Sequence, residues 1–488
     1  MSVPLSLAAL LLLLLARTTS AIGTSAASSS PSPSPSTSTS TTSISIEDFG
    51  AVAGDASRAL ENSEALAAGA ARAAELGVPL VVPAAKKFFV FGTYISEVEN
   101  LVLSIDGIIE GVPDFEKWPI TEACHGHYCP MLGFYKCRNV TVTSSAPSWD
   151  AGGIIDGRGY EWWWSEILQT LPCQRPKIMH WKYTTGIVIE KLHLRNSPFW
   201  NIDLDDVSNV VVRHVQVETD LDSQRKMMRK HGRTSHIKDL LSLDRTPDAA
   251  LKAKLDQSQS TVNWRDWLAR TLIDLHVPTF PLNTDGIDVK GTNIHIHDCK
   301  IRNFDDIVVP KPCDTNCKLG NCTQDILVEN IEAQGVGLSI GSVSPSPRHN
   351  CVKNVTFRNI KLSYPAKGVY IKSDPGDRGS GEISSIRFEN INIFRPLWWS
   401  VWIGPQQQHQ PGWNWTEHEE CALDFPLGSS KGHCMAQKLV EISDIYLKDV
   451  AIDTPLLSPG VCTRACVVPS RSVPCMPAND KSDQPPRP

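Results

Sequence analysis

Two short phrases recur along this chain at a spacing of about 30 residues, and that repeat restricts the fold more than any other feature. The first is a polar residue followed by a β-branched alternation. It stands at Asn209-Val210, Asn293-Ile294, Asp325-Ile326, Asn354-Val355, Ser385-Ile386 and Asp444-Ile445. From 325 to 354 and 385 the steps are 29 and 31; the next, 59, is two such steps. The second runs between them: Gly286-Ile287-Asp288-Val289, Asp306-Ile307-Val308-Val309, Leu338-Ser339-Ile340, Val369-Tyr370-Ile371 and Val401-Trp402-Ile403. Alternation of this kind is strand patterning. Helical repeats would need apolar residues at three-and-four spacing, and a leucine-rich repeat would need a Leu framework; neither is present. Short strands coiling at a fixed period predict an all-β solenoid, a parallel β-helix of about ten coils stacked about 4.8 Å apart.

Two stretches break the repeat. Gly54 to Gly77 is Ala-rich with helical spacing and is expected to cap the open N-terminal end, since a bare sheet edge invites association. Residues 219–277 are charged and carry helix formers, so they read as a helical insertion forming one wall of a groove. Outside the repeats, Leu5 to Leu15 is an apolar run shorter than the ~20 residues needed to span a bilayer, followed by small residues; 1–21 reads as a signal peptide. A Ser/Thr/Pro-rich linker over 22–43 cannot bury a core, and 476–488 is expected to fray. The β-helix domain is placed at 44–475.

The 14 cysteines suit an oxidising compartment. Expected local pairs are Cys421–Cys434 and two among Cys124, Cys129 and Cys137. Cys313, Cys317 and Cys322 read either as a zinc site or as disulfide partners, and export favours disulfides. Asn139, Asn321, Asn354 and Asn414 stand in glycosylation sequons. A net charge of −6 argues against nucleic acid, because phosphate neutralisation needs a basic face.

The chemistry concentrates on the second phrase. Asp285 lies on one coil, and Asp305 and Asp306 follow 20 and 21 residues later, on the next. Val336 falls on the third, Tyr370 and Lys372 on the fourth. Each motif alone is ordinary: Asn283-Thr284-Asp285-Gly286 is a turn signature, and paired aspartates are commonly solvated. Co-registered on adjacent rungs, three carboxylates cannot all ionise freely, so one should hold a proton. A protonated acid beside ionised partners is what glycosidic cleavage requires. Trp398, Trp399 and Trp402 lie one coil further and are read equally as sugar platforms or core. Lys290 and Lys311 are read either as lining an anionic subsite or, the favoured reading, as solvating turns, and His295 and His297 as surface ladder residues on another strand.

In this order the motifs resemble the polygalacturonases of glycoside hydrolase family 28. The resemblance rests on Asp48-Phe49-Gly50-Ala51, Ile155-Asp156-Gly157-Arg158-Gly159 with Trp162-Trp163, and Asn196-Ser197-Pro198-Phe199-Trp200. It rests further on Asn283-Thr284-Asp285-Gly286, Asp305-Asp306, Gly335-Val336-Gly337-Leu338-Ser339-Ile340-Gly341-Ser342 and Tyr370-Ile371-Lys372. It implies a right-handed parallel β-helix and inverting hydrolysis of a pectin-like polysaccharide. It further implies Asp306 as general acid, and Asp285 and Asp305 holding the water. Lys372, with Asn283 and Tyr370, would bind substrate. Two positions depart from the family pattern: Val336 stands where it has histidine, and Tyr370 where it has arginine. No cofactor or metal is implied. The expected partner of a secreted, cell-wall monomer is an acidic polysaccharide, with no nucleic acid and no membrane after leader cleavage. The competing readings are a polysaccharide-binding protein on the same scaffold and a lyase. The lyase is disfavoured because no arginine is expected to accompany the aspartates on this face.

Overall fold

The computed structural model describes residues 43–148, 151–220, 264–274, 279–313, 317–318, 320, 322–374, 378–405, 437–453, 461–462 and 476–477. The leader, nearly all of the linker, most of the insertion, the Cys421–Cys434 pair and the Asn321 and Asn414 sequons lie outside these residues. All twenty-five described strands belong to one sheet, and their pairings are parallel throughout, from Ile44–Ser45 on Leu80–Val82 to Gly381–Phe394 on Val440–Asp453. The molecule is a right-handed parallel β-helix.

The polar residue that opens each first phrase is a corner. Asn209, Asn293, Asp325, Asn354, Ser385 and Asp444 all have φ between 51° and 59°. This left-handed region is one that Asn and Asp tolerate better than other side chains. A second corner follows five residues on, at Asn330, Asn359, Asn390 and Asp449. Between the corners, side chains alternate in and out. Ile296, Val328, Phe357, Phe388 and Leu447 stack in register and are fully or almost fully buried. The Phe357 and Phe388 rings stack nearly parallel, with centroids 5.0 Å apart. Burying each such side chain contributes roughly 1.5–3 kcal/mol. Outside, the corners form amide ladders: Asn390 donates to Asn359 at 3.0 Å, and Asn359 to Asn330 at 3.3 Å. The sequon residues Asn139 and Asn354 are exposed, and their amides are engaged in these ladders, with Asn100 and Asp325. His295 and His297 stand on this outer face, paired with Glu329 and Asp298.

The N-terminal helix, Ala59–Leu76, lays its small buried face (Ala59, Ala65, Leu66, Ala70 and Ala73) on the first coil and ends at Gly77 with φ 64°. The described part of the insertion is the helix Trp264–Asp274. It packs on the helix Gly159–Ile167, with the Tyr160 hydroxyl donating to the Leu272 carbonyl at 3.4 Å. At the far end, Met476–Pro477, the first two residues of the segment expected to fray, pair with Val461–Cys462. Among the described residues the disulfides are Cys124–Cys129, Cys313–Cys317 and Cys322–Cys351, and Cys137 is a buried thiol. Cys313 and Cys317 are thus joined to each other, and Cys322 clips two adjacent coils. No described helix is long and apolar enough to cross a membrane.

Candidate active site

The second phrase builds one floor. Strand Ile287–Arg302 pairs with Val308–Pro310, which pairs with Leu338–Val343, then Val369–Ser373 and Val401–Pro405. Gly286 donates to the Asp306 carbonyl and Ile307 to that of Gly337, so Asp285, Asp306 and Val336 occupy one column. The local turns are held by side chains. Phe304 N–H donates to Thr284 Oγ1 at 3.1 Å, which ties the Asn-Thr-Asp-Gly turn to the next coil. Asn303 Nδ2 donates to the Asp306 carbonyl at 2.6 Å. Gly335 and Gly337 are required by space: a Cβ on the first would strike Asn303 Oδ1, and on the second the carbonyls of Lys367 and Gly368.

The floor brings Asp285, Asp305 and Asp306 together, with one carboxylate oxygen from each within 4.8 Å of the others. Their surroundings differ sharply. Asp306 is 1% exposed. Its two oxygens accept from Ser339 Oγ and Lys372 Nζ, each at 2.5 Å. Burial opposes ionisation, but the Lys372 and Lys311 charges and these two bonds outweigh it and hold the carboxyl below its ordinary range. Asp305 is half-buried and has no such cation bonded to it. Burial, then the charges of Asp285 and Asp306, push it up to about 8. Asp285 is also raised, mainly by burial. Its Oδ2 meets Lys311 at 3.4 Å, while its buried Oδ1 has no hydrogen-bond partner among the described residues. Asp306, which the resemblance implied as proton donor, is therefore the one held as an anion.

Other expectations change on this floor. Lys372 is buried against Asp306 rather than presented to a ligand. Tyr370 is wholly buried, with Lys367 Nζ at 3.4 Å and Lys372 Nζ at 4.8 Å from its ring centre. It offers no surface to a sugar. Asn283 is half-buried, its Oδ1 accepting from Arg175 at 3.2 Å. Val336 is half-buried, and its backbone N–H donates to the Asp305 carbonyl at 2.7 Å. Lys311 does not solvate a turn: its side chain is 18% exposed and pairs with Asp285 and with fully buried Asp288. Burial alone would push it down, but those carboxylates outweigh burial and keep it charged. Trp398 and Trp402 are buried and Trp399 half-buried, in a ring cluster with centroids about 6 Å apart.

An arginine does stand beside the aspartates. Buried Arg175 donates to the carbonyls of Pro198 at 2.7 Å and Leu282 at 2.9 Å, and its Nε lies 3.4 Å from Glu166. Burial lowers its pKa to about 10, offset in part by Glu166, Asp285 and Asp305. It lies outside every repeat phrase, more than a hundred residues before Asp285, so nothing in the local pattern marked it. It is spent on carbonyls and Glu166, which leaves it no role as a base. Toward the N-terminal end of the floor, Lys177 pairs with Asp203 at 2.5 Å, and Trp200 carries Lys311 at 4.0 Å and Lys177 at 4.7 Å from its ring.

The model of the family described as "Glycosyl hydrolases family 28" matches residues 134–396, just over half of the chain. Among curated proteins, a polygalacturonase of Chamaecyparis obtusa is 23% identical over 360 residues, covering 72% of this chain and 53% of that protein. An exopolygalacturonase of Arabidopsis thaliana is 36% identical over 123 residues, covering 25% of this chain and 26% of that one. The chain thus spans about half, or less, of the length of these relatives. Among solved structures, an endo-xylogalacturonan hydrolase from Aspergillus tubingensis superposes with TM-score 0.57 at 16% identity, covering 90% of this chain and 99% of the other. An exopolygalacturonase from Thermotoga maritima gives 0.53 at 17% identity, covering 88% of each. At such identities the likeness is one of fold.

Proposed function

This chain belongs to glycosyl hydrolase family 28, and from that premise we propose that it hydrolyses a galacturonic-acid-containing, pectin-like polysaccharide. The observation that carries the reading is three carboxyls on one floor with an oxygen of each within 4.8 Å, of which Asp306 is bonded to Lys372 and Ser339 while Asp305 is pushed up to about 8. Asp305 is the more exposed of the three and the one pushed up to about 8, so in this reading it takes the role of general acid in place of Asp306. Its proton passes to the glycosidic oxygen as the bond to the anomeric carbon breaks. Asp306 and the unpartnered Oδ1 of Asp285 hold the attacking water and accept its proton. Lys372 and Lys311 offset the negative charge.

An inverting course is part of the proposal, and access supports it. Carboxylates under about 5.5 Å apart usually belong to retaining enzymes, in which one attacks the sugar directly. Here Asp285 and Asp306 are 3% and 1% exposed, so neither oxygen reaches an anomeric carbon except through water. Proton NMR of the first product from polygalacturonate tests this: an inverted anomer is expected, and a retained one removes the water-mediated mechanism. Asp305→Asn should abolish hydrolysis while substrate still binds; full turnover in that variant removes Asp305 from the acid role.

One observation favours the alternative, a polysaccharide-binding protein with little turnover. Lys372 is committed to Asp306, and Tyr370 is buried, so neither residue presents a charge or hydroxyl to the substrate. A wild type that retains pectin without releasing reducing ends decides for that reading. Export to the cell wall is part of the proposal. It rests on the leader-like N-terminus and is supported by three disulfides among the described residues.

A further inference from the structure

Both oxygens of Asp306 are taken, by Ser339 and Lys372, whereas Asp285 Oδ1 is buried without a hydrogen-bond partner among the described residues. A bare carboxylate oxygen in such a place is costly and calls for an explanation. The other oxygen, Oδ2, meets Lys311 Nζ at 3.4 Å. Lys311 is fixed at both its backbone and its amine. Its N–H donates to the Val289 carbonyl at 2.8 Å, and its own carbonyl accepts from Thr323 Oγ1 at 2.6 Å. Its ammonium touches the carboxyl of fully buried Asp288 and lies 4.0 Å from the ring centre of Trp200. A ring face attracts an ammonium, more strongly where water is excluded. Trp200 is held in turn: its ring stacks on Phe199 at 4.8 Å, and its carbonyl accepts from Ser197 Oγ at 3.0 Å. The same ring carries Lys177, but that amine is paired with Asp203.

The charges facing Asp285 are Lys311, Lys372 and Arg175 on one side and Asp288, Asp305 and Asp306 on the other. Burial and Asp306 oppose its ionisation, and of the cations that favour it Lys311 acts most strongly. Lys372 is tied to Asp306, and Arg175 to carbonyls and Glu166. Of the two carboxyls on Lys311, Asp288 is pushed the further up, by burial and by the Asp285 charge, so the negative charge rests on Asp285. Resting on the hydrolase reading above, we propose that Lys311 and Trp200 are positioning residues for Asp285: the Trp200 ring and the Asp288 carboxyl seat the Lys311 ammonium against Asp285 Oδ2, which leaves the bare Oδ1 for the attacking water and keeps it able to accept a proton. The water oxygen then bonds to the anomeric carbon and its proton goes to Asp285, while the departing glycosidic oxygen takes the proton of Asp305. Lys311 and Trp200 act through Asp285 and not on the sugar.

The test is a carboxyl ¹³C NMR titration of Asp285 in the ligand-free protein, wild type against Lys311→Met, Lys311→Arg and Trp200→Leu. An opposite charge at about 4–6 Å or closer typically shifts a carboxyl by 1–3 units. The Asp285 midpoint should therefore rise by roughly 1 unit in Lys311→Met and return toward wild type in Lys311→Arg. Trp200→Leu keeps the lysine and should move the midpoint the same way by less. In hydrolysis, Lys311→Met should carry the acid limb of the kcat profile upward with the Asp285 midpoint and lower kcat about tenfold on that limb. KM should be unchanged, and the alkaline limb set by Asp305 should stay near pH 8; loss of packing alone would not move one limb and leave the other. An unmoved Asp285 midpoint in a folded Lys311→Met protein overturns the role of Lys311 whether or not the enzyme turns over. An unmoved midpoint in Trp200→Leu overturns the role of the ring, and this variant decides the matter where Lys311→Met does not fold. Midpoints that move in both variants while wild type hydrolyses no pectic substrate support the seating of Lys311 and overturn the hydrolase reading.

Discussion

Asp305 and Asp306 are adjacent in the chain and opposite in acid strength, because one backbone step turns their side chains into different surroundings. Asp306 meets Lys372 and Ser339; for Asp305, burial and the charges of Asp285 and Asp306 outweigh the more distant Lys372 and the one backbone N–H that it accepts from. Activity that depends on protonated Asp305 should therefore fall on an alkaline limb near pH 8, measurable in a kcat profile. The same group shapes stability. Its carboxyl is protonated up to about 8 in the folded state but ionises near 4 when unfolded. Unfolding between those values releases a proton, so this contribution to stability is full below pH 4 and is lost as pH rises to 8. Asp305→Asn should flatten that part of the stability–pH curve in denaturant titrations. Asp306→Asn is a different experiment. It leaves Lys372 buried without its anion, and breaking a buried pair costs about 3–5 kcal/mol, so melting temperature should fall together with activity. Tyr370→Arg would place a guanidinium in a wholly buried position between the Lys367 and Lys372 amines and is expected to lower stability. Val336→His is tolerable, since Val336 is half-buried at the groove, and a gain in polygalacturonate hydrolysis would identify this position as limiting.

The elements are strands joined by left-handed corners, and the corners are where sequence and backbone agree most closely. Asn359 has φ 55° and both gives and receives a ladder bond. Asn359→Ala should cost about 1–2 kcal/mol from the left-handed conformation alone, while Asn359→Gly removes that strain and keeps only the ladder loss. Equilibrium unfolding of the two variants separates the terms; equal losses would mean that the ladder, not the backbone, matters at this corner. The recurring Asn, Asp and Ser at these sites were visible as the opening of each repeat, and the alternation after them named the inward residues. The strands of the candidate site were legible for a related reason: the second phrase recurs, and the coil between Asp285 and Asp306 is 21 residues, which sets the aspartates on one face. Arg175 and Ser339 were not singled out. Their importance comes from what stands opposite them on other coils, and a side chain's neighbours across a coil leave no periodic mark around it.

A solenoid must close its ends, and here the first coil is covered by the helix Ala59–Leu76. Gly69 lies where that helix meets the core: a Cβ there would sit 2.9 Å from Leu80 Cδ1 and 3.1 Å from Phe49 Cδ2. Gly69→Leu should lift the helix, cost roughly 1–3 kcal/mol through overpacking, and expose a sheet edge. Light scattering should then show association that wild type lacks; a monodisperse variant would mean that the cap is not what protects the edge. At this scale the repeat already implied the parallel coil, its capping helix and the face that carries three aspartates, because all of these follow from periodicity and side-chain alternation along one chain. That Lys372 is tied to Asp306, that Lys372 and Tyr370 are buried, and that Lys311 pairs with Asp285 were decided only by the folded arrangement. Acid strength and access depend on the distance between charges and on the removal of water, and both are set by residues from different coils that no local stretch of sequence contains.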